Sequence, residues 1–363
     1  MQFPRDLCDS AAMRLRERLA ILLCLAAAAG CDGKPSAPAT TPNTETGPTA
    51  REVIDASEAI EKFMNAGRMH EAELVARKLL ERAPAGSGAY ATANEMMARA
   101  LFARTQVPDE PITRSERRAL IAEAATCADR AASAGAAAGA PDAAKLGFAA
   151  LLASSSGNAE RAKQLFDQAV AIAPNDAGNL MQAALAAIGR ADLARAKELV
   201  AMRKLASPGE AWNAGLDAEI ALAESRFDAS VEAARAAVAA DRERLEFRLL
   251  LARTLRKAGR AAEAARGLSA LEPAERAKPA IAEQFALALA ESGDLRAAAF
   301  AWDEARRANL NDPYVRAQSA LAFHRAGDTA RAAAELAALD AIKGGAEERA
   351  RIEALLRAEP ATK

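Results

Sequence analysis

The feature that most constrains this fold is a fixed period in the second half of the chain. A glycine or another small residue recurs every 34 residues, since 191 − 157 = 34 and each later step is the same. These residues are Gly157, Ala191, Ser225, Gly259, Gly293 and Gly327. Each begins a short turn motif, such as Gly157-Asn158 or Gly293-Asp294. A period of this length predicts stacked helix–turn–helix units that bury their apolar faces against one another.

Small residues fill two further columns in the same register. Seven positions before each turn stand Ala150, Ala184, Ala218, Ala252, Ala286 and Ala320. Five positions after it stand Ala162, Ala196, Ser230, Ala264, Ala298 and Ala332. Small side chains at matched positions let two helix backbones approach closely, so these columns predict where the two helices of each unit meet.

The composition favours an all-α fold. Hydrophobic residues make up 51% of the chain but aromatic residues only 4%, so most of the apolar content is alanine, the strongest helix former. No useful stretch shows the alternation of a strand. The formal net charge of −1 gives no basic surface, so we expect no nucleic-acid partner. A coiled coil, the competing fold, would need a heptad pattern that the regular turns interrupt.

The three columns resemble the tetratricopeptide repeat, a helix–turn–helix family with small residues at these offsets and often a proline near the unit end. Pro174 and Pro208 match that proline. Later units differ and have Arg242, Arg276, Leu310 and Gly344 in its place. The resemblance implies a right-handed α-solenoid of about eight units whose first helices line a concave groove.

The register also predicts the segments of the chain. They are a helical domain at 51–358, an enlarged repeat at about 87–142 with a loop at 105–113, regular repeats at 143–346 and a capping helix at 347–358. One regular unit precedes the enlarged repeat and turns at Gly67. In the capping helix, Ile352, Leu355 and Leu356 share one face and charged residues occupy the rest.

The N-terminal residues are typical of an export signal and a tether. Residues 1–30 contain a basic stretch and an apolar run that is too short to cross a bilayer. Met13 is a possible true start of the protein. The segment ending in Cys31 resembles a bacterial lipobox, which implies a lipidated cysteine; ordinary cleavage and an uncleaved segment are alternatives. Residues 31–50 are rich in proline and threonine, as a disordered tether is. We therefore expect a membrane anchor in the bacterial cell envelope, with the protein facing the periplasm or the cell exterior.

The sequence contains no recognisable catalytic set. His70 and His324 belong to no metal-binding motif, and no phosphate-cradling glycine loop occurs. We expect no cofactor, no metal and no enzymatic activity. Asp109 and Glu110 form a pair of carboxylates in the 105–113 loop, and a hydrolase with its site there is one alternative.

The resemblance places candidate partner-binding residues on the first helices. In one unit, helical angles put Leu249, Arg253 and Arg256 on a face beside the core. The candidate set over all units is Leu151, Met181, Leu185, Trp212, Glu219, Leu249, Arg253, Arg256, Glu283, Leu287, Tyr314, Leu321 and His324. These residues predict a groove with an apolar middle that binds a peptide or a partner helix.

Two interpretations of this face remain open. Arg253 and Arg256 either contact a partner or pair with Glu283 and Glu291 of the next unit. The two aromatic candidates, Trp212 and Tyr314, either bind the partner or pack between repeats.

The expected function is a protein–protein interaction scaffold or assembly factor whose partner is an envelope protein or peptide. Self-assembly through the ends of the solenoid is the structural alternative.

Overall fold

A computed structural model describes residues 47–106 and 112–358, and every regular element in these ranges is a helix. The first eight are α1 (Ala50–Asn65), α2 (Met69–Arg82), α3 (Gly88–Gln106), α4 (Arg114–Ala137), α5 (Ala143–Ser155), α6 (Ala159–Ile172), α7 (Ala177–Gly189) and α8 (Leu193–Ala206). The others are α9 (Ala211–Ala223), α10 (Phe227–Ala240), α11 (Leu245–Lys257), α12 (Ala261–Ser269), α13 (Pro273–Arg276), α14 (Pro279–Glu291), α15 (Leu295–Ala308), α16 (Pro313–Arg325), α17 (Thr329–Ala338) and α18 (Gly345–Ala358). Cys31 and the Asp109–Glu110 pair lie outside the described residues.

The described helices form two compact units. The first comprises 47–106 and 115–208, and the second comprises 112–114 and 209–358. Within each unit the first helix of a repeat packs on its second helix, as α5 does on α6 and α9 on α10. Each second helix also packs on the first helix that follows, as α10 does on α11. This is the stacked helix–turn–helix arrangement that the sequence period predicts.

The turn residue of each regular repeat has the left-handed conformation that ends a helix. The φ angle is +89° at Gly157 and +94° at Gly293, in a region that costs a residue with a side chain roughly 1–2 kcal/mol. Ala191 and Ser225 also adopt it, with φ of 62° and 60°. The next residue then donates its N–H to a carbonyl five positions back, as Asn158 does at 2.8 Å, and this bond closes the helix.

The residue after the turn starts the second helix. The side chains of Asn158, Asp192, Asp294 and Asp328 each accept a hydrogen bond from a backbone N–H in the first turn of that helix. Such a cap satisfies an N–H that has no partner within the helix and contributes about 1 kcal/mol. The two-residue turn motif therefore ends one helix and begins the next.

The two columns of small residues form the contact between paired helices. All their members are buried, with exposures from 0% at Ala150 to 5% at Ala298. The one polar member, Ser230, donates its hydroxyl proton to the carbonyl of Ala218 at 2.8 Å, so its burial leaves no unsatisfied group. The sequence predicts this contact correctly because only small side chains fit between helices that lie so close.

The enlarged repeat contains a long second helix. α4 runs from Arg114 to Ala137, over 24 residues. Its side chains pair with the second helices on both sides, through Arg77–Glu123 at 3.0 Å and Arg161–Asp129 at 2.6 Å. These helices are α2 and α6, so α4 is the second helix of the enlarged repeat.

The last described helix lies in the register of a first helix. α18 begins two residues before the predicted 347–358 segment and packs on α16. Ile352 is fully buried there, with Leu355 and Leu356 beside it. Ala354 is exposed although it lies in register with the buried alanines of the earlier units, since 354 − 320 = 34. Among the described residues no second helix follows to cover it.

Candidate partner-binding face

The candidate residues lie on the first helices of the regular repeats, in columns with the sequence period. The central column, at the middle of these helices, comprises Leu151, Leu185, Glu219, Arg253, Leu287 and Leu321. Met181, Leu249 and Glu283 belong to the column one helical turn earlier, and Arg256 and His324 belong to the column one turn later. The face is therefore defined by residues at the same positions in successive repeats.

Trp212 and Tyr314 lie one column before that of Leu249. The positions that correspond to Leu249 are Gly215 and Ala317, since 249 − 34 = 215 and 249 + 68 = 317. The two aromatic residues stand three positions before these, which is nearly one turn. They therefore form the start of the face.

Burial divides the candidate set. Seven members are buried: Leu151, Met181, Leu249, Arg253, Glu283, Tyr314 and Leu321. Five are half-buried: Leu185, Trp212, Glu219, Arg256 and Leu287. His324 is exposed. The half-buried and exposed residues are those a partner can reach without a rearrangement, and a binding role for any member stays a prediction.

Two charged residues interrupt the leucines of the central column and pair with each other. Arg253 Nη2 contacts Glu219 Oε1 of the preceding repeat, and the exposed fractions of the two side chains are 8% and 15%. The Nε of Arg253 is buried and has no hydrogen-bond partner within the described part of the chain. Burial removes water from both charges, so each depends on the other for compensation.

The partners of the arginines match the sequence interpretation only in part. Arg256 pairs with Glu291, its Nε lying 2.8 Å from Oε2, as that interpretation predicted. It also donates to Gln284 Oε1 at 2.7 Å. Arg253, however, pairs with Glu219 of the preceding repeat, and the prediction of Glu283 as its ion-pair partner is wrong.

Tyr314 packs between repeats. Its ring lies edge-on to Trp302 with 6.1 Å between ring centroids, and its hydroxyl donates to Glu283 Oε2 at 3.1 Å. The side chain is 8% exposed, so most of its surface is already used within the second unit. These contacts favour the packing interpretation for this residue.

Trp212 remains accessible. Its ring lies 4.8 Å from that of Phe247, and the Arg244 guanidinium lies 5.9 Å from it. Gly215 makes this contact possible, because a Cβ there would lie 3.0 Å from Phe247 Cε1. The half-buried indole is thus held by neighbours and still presents surface, as a binding anchor does.

One exposed aromatic residue on a second helix is absent from the candidates predicted from the sequence. Phe300 is 49% exposed and lines a shallow cavity of about 450 Å³ with Pro273, Ala277 and Ala308. Earlier repeats have Gln164, Glu198, Glu232 and Arg266 at this position. An aromatic residue in a column that is otherwise polar was the signal that could have revealed it.

The described residues offer few reactive groups. No three His, Cys, Asp or Glu side chains within 47–106 and 112–358 are close enough to hold a metal ion. Cys127 is buried, and burial raises the pKa of its thiol to about 11, so the thiol is protonated at neutral pH. No helix in these ranges is long and apolar enough to cross a membrane.

Comparison with known proteins gives matches in structure. No family model matches the sequence, and no curated protein is significantly similar to it. A tetratricopeptide repeat protein from Parabacteroides merdae is similar with a TM-score of 0.57 at 13% identity, over 75% of this chain and 99% of its own. Yeast Tom70 is similar with a TM-score of 0.56 at 13% identity, over 94% of this chain and 68% of its own.

The chain has the tetratricopeptide-repeat fold. Its departures from the closing proline of that repeat have structural causes in two places. At the first, α12 ends early and Arg276 takes the proline position. Arg276 donates to the carbonyl of Leu271 at 2.7 Å and pairs with Glu304 at 2.9 Å, so it satisfies the end of the shortened helix.

The second departure in this tetratricopeptide-repeat fold is Gly344. Its φ is +82°, and a Cβ there would lie 3.3 Å from the Cα of Thr113. The neighbouring Arg114 pairs with the buried Glu348 of α18 at 2.5 Å. Residues 112–114 therefore pack on the C-terminal end of the second unit, and a glycine leaves room for them.

Proposed function

We propose that this chain is a protein–protein interaction scaffold or assembly factor of the bacterial cell envelope. In this proposal it binds a peptide or a partner protein on the first-helix face. The observation that supports it most is the set of accessible apolar side chains in the columns of that face, which in the second unit includes Trp212, Leu222 and Leu287. Apolar and aromatic anchors of this kind provide most of the affinity when a peptide docks on a helical surface.

Capture of a partner from membranes tests this function. A tagged domain covering residues 32–363 should enrich a discrete envelope protein. Replacing Trp212 and Leu287 by alanine should reduce the enrichment about tenfold, since the loss of an anchor costs more than about 1 kcal/mol. Both side chains are only half-buried, so the fold should survive, and circular dichroism checks this.

A matched control removes an aromatic residue and a leucine elsewhere in the same unit. Phe227 and Leu310 are 37% and 58% exposed and lie outside the candidate columns. Replacing both by alanine should leave the captured protein at its original level. The proposed face would be contradicted if both variants lost the captured protein equally. It would also be contradicted if the variant at Trp212 and Leu287 captured as much of that protein as the natural chain does.

We also propose that a lipid on Cys31 anchors the chain, with residues 31–50 as the tether. The support is the lipobox resemblance of the sequence that ends at Cys31 and the position of the first described helix, α1, which begins at Ala50. Cells that express the chain should incorporate labelled palmitate into it, and Cys31→Ser should abolish the label. Label that persists in this variant, or is absent from the natural chain, would rule out the anchor.

A further inference from the structure

Two positions depart from the repeat pattern together at the junction of α10 and α11. Arg242 stands where the first two regular repeats have a proline, and Arg248 stands where they have a leucine. Both line a surface cavity of about 360 Å³ together with Arg235, and the rest of the lining includes Val238 and Leu251. The cavity therefore combines three arginines with an apolar surface.

The same two columns hold arginine again later in the second unit, and there each arginine has a carboxylate. Arg276 pairs with Glu304 at 2.9 Å, across an interval of 304 − 276 = 28 residues. Arg316 pairs with Glu335 at 2.7 Å, across an interval of 335 − 316 = 19 residues. In each of the two columns, the other arginine of the second unit is thus neutralised by a glutamate.

At the cavity both of these carboxylates are missing. The same intervals lead from Arg242 to Ala270 and from Arg248 to Gly267, since 242 + 28 = 270 and 248 + 19 = 267. Gly267 lies inside α12, where glycine costs about 1 kcal/mol relative to alanine. No atom lies within 4 Å of where its Cβ would stand, so no packing contact requires a glycine there.

The two arginines consequently lack an acidic partner. Within the described residues, the Arg242 side chain makes no hydrogen bond or ion pair, and Arg248 uses only its Nε, which donates to the Arg242 carbonyl at 2.8 Å. Arg235 differs, because it pairs with Glu263 at 2.5 Å. Of the three arginines that line the cavity, only Arg235 therefore has a carboxylate partner.

We infer that this cavity binds an acidic segment of a protein partner, whose carboxylates take the places that glutamates fill at the equivalent arginines. Guanidinium groups bind carboxylates through paired, directional hydrogen bonds. The apolar lining at Val238 and Leu251 suits an apolar side chain next to the acidic ones. The inference rests on the proposed scaffold function and specifies one chemical feature of the partner.

The test measures binding of a labelled probe peptide to the full chain. The probe has two glutamates flanking a leucine, and fluorescence anisotropy at low ionic strength follows its binding. Arg242→Ala combined with Arg248→Ala should weaken binding about tenfold. The charge-matched control, Arg266→Ala with Arg296→Ala, removes two exposed arginines of the same unit outside the cavity and should leave binding within about twofold.

A second variant restores the missing acid within the chain. Gly267→Glu should weaken peptide binding, because its carboxylate competes for Arg248. Gly267→Ala improves the helix without adding charge and should bind the peptide as the natural chain does. Weak binding by both variants, or by neither, would contradict the assigned role of this position.

Three results with the natural chain would overturn the inference. They are no binding of the glutamate peptide, equal binding of a glutamine version, or preferential binding of inorganic phosphate or of vesicles that contain phosphatidylglycerol. The variants at the cavity leave Trp212 and Leu287 unchanged. A failure here is therefore distinguishable from a failure of the capture experiment that tests the scaffold function itself.

Discussion

A buried arginine and a half-buried glutamate occupy positions where four of the six regular repeats have leucine. The central column reads Leu151, Leu185, Glu219, Arg253, Leu287 and Leu321. The two charges lie next to each other in the column and pair across adjacent repeats. Because each side chain is largely shielded from water, removing one leaves the other without compensation.

This arrangement predicts opposite effects of single and double substitutions. Glu219→Ala should destabilise the chain by about 3 kcal/mol, because it strands the buried Arg253 guanidinium. Replacing both residues by leucine continues the apolar column and should leave stability unchanged or increase it. Urea unfolding followed by circular dichroism measures both.

An exposed ion pair supplies the control for these substitutions. Arg51 and Asp55 pair at 2.9 Å with side chains that are 79% and 50% exposed. Asp55→Ala should change stability by less than about 0.5 kcal/mol, because water already screens this pair. If Glu219→Ala lowers the free energy of unfolding by no more than this, the pair of Arg253 and Glu219 does not stabilise the fold.

The sequence predicts which residues share this face and fails on some of their contacts. Helical angle puts Arg253 in the central column of the first-helix face, and Arg256 pairs with Glu291 as expected. Arg253 instead reaches back to Glu219, because a long flexible side chain can choose between carboxylates on either side. The burial of Leu249 also could not be predicted from the pattern of its own helix, because the next repeat covers this side chain.

At the scale of helices, the N-terminal cap of α1 is tied to a titrating group. Thr49 and Glu52 form a capping box, in which the Thr49 backbone N–H donates to Glu52 Oε2 at 2.8 Å. This bond, followed by the contact with Arg82, lowers the pKa of Glu52 from 4.5 to about 2. The first described helix of the chain is therefore held by a carboxylate that must be ionised.

Acid should loosen this end of the helix. The folded-state pKa is lower than the unfolded value, so the stabilisation is complete above about 4.5 and is lost as the pH falls toward about 2. The protection factors of the first-turn amides of α1, which correct for the pH dependence of intrinsic exchange, should fall over that range. Glu52→Gln should remove this pH dependence, and an equal fall in this variant would contradict the assignment.

The sequence predicts the helix positions where the 34-residue spacing and the residue types at the turns agree. The columns of small residues and the turn residues at the same spacing place the regular helices, because the small side chains fit between paired helices and each turn residue adopts the left-handed conformation that ends the first helix. The break between α12 and α13 does not follow from the period. It arises because Pro273 begins a new short helix, and Arg276 then satisfies carbonyls that the break exposes.

At the scale of the molecule, the described residues form eight helix pairs, the short α13, a 3-10 helix at Leu339–Ala341 and the final α18. The register of the turns predicted about eight units, and a repeat needs such neighbours to bury its faces. The sequence could not predict the division into two compact units that follows Pro208, since this depends on tertiary contacts. The identity of the partner also depends on a second molecule, and Trp212, Leu287 and the Arg242 cavity are the features proposed to recognise it.

Hydrogen–deuterium exchange on the full chain, with and without its captured envelope partner, tests the scaffold claim most directly. We expect the partner to slow exchange in the first helices α9 and α14, around Trp212 and Leu287. The start of α10 and the segment around Leu310 should exchange as before. Slowing confined to second helices, or no slowing in any first helix, would contradict a scaffold that holds its partner on the first-helix face.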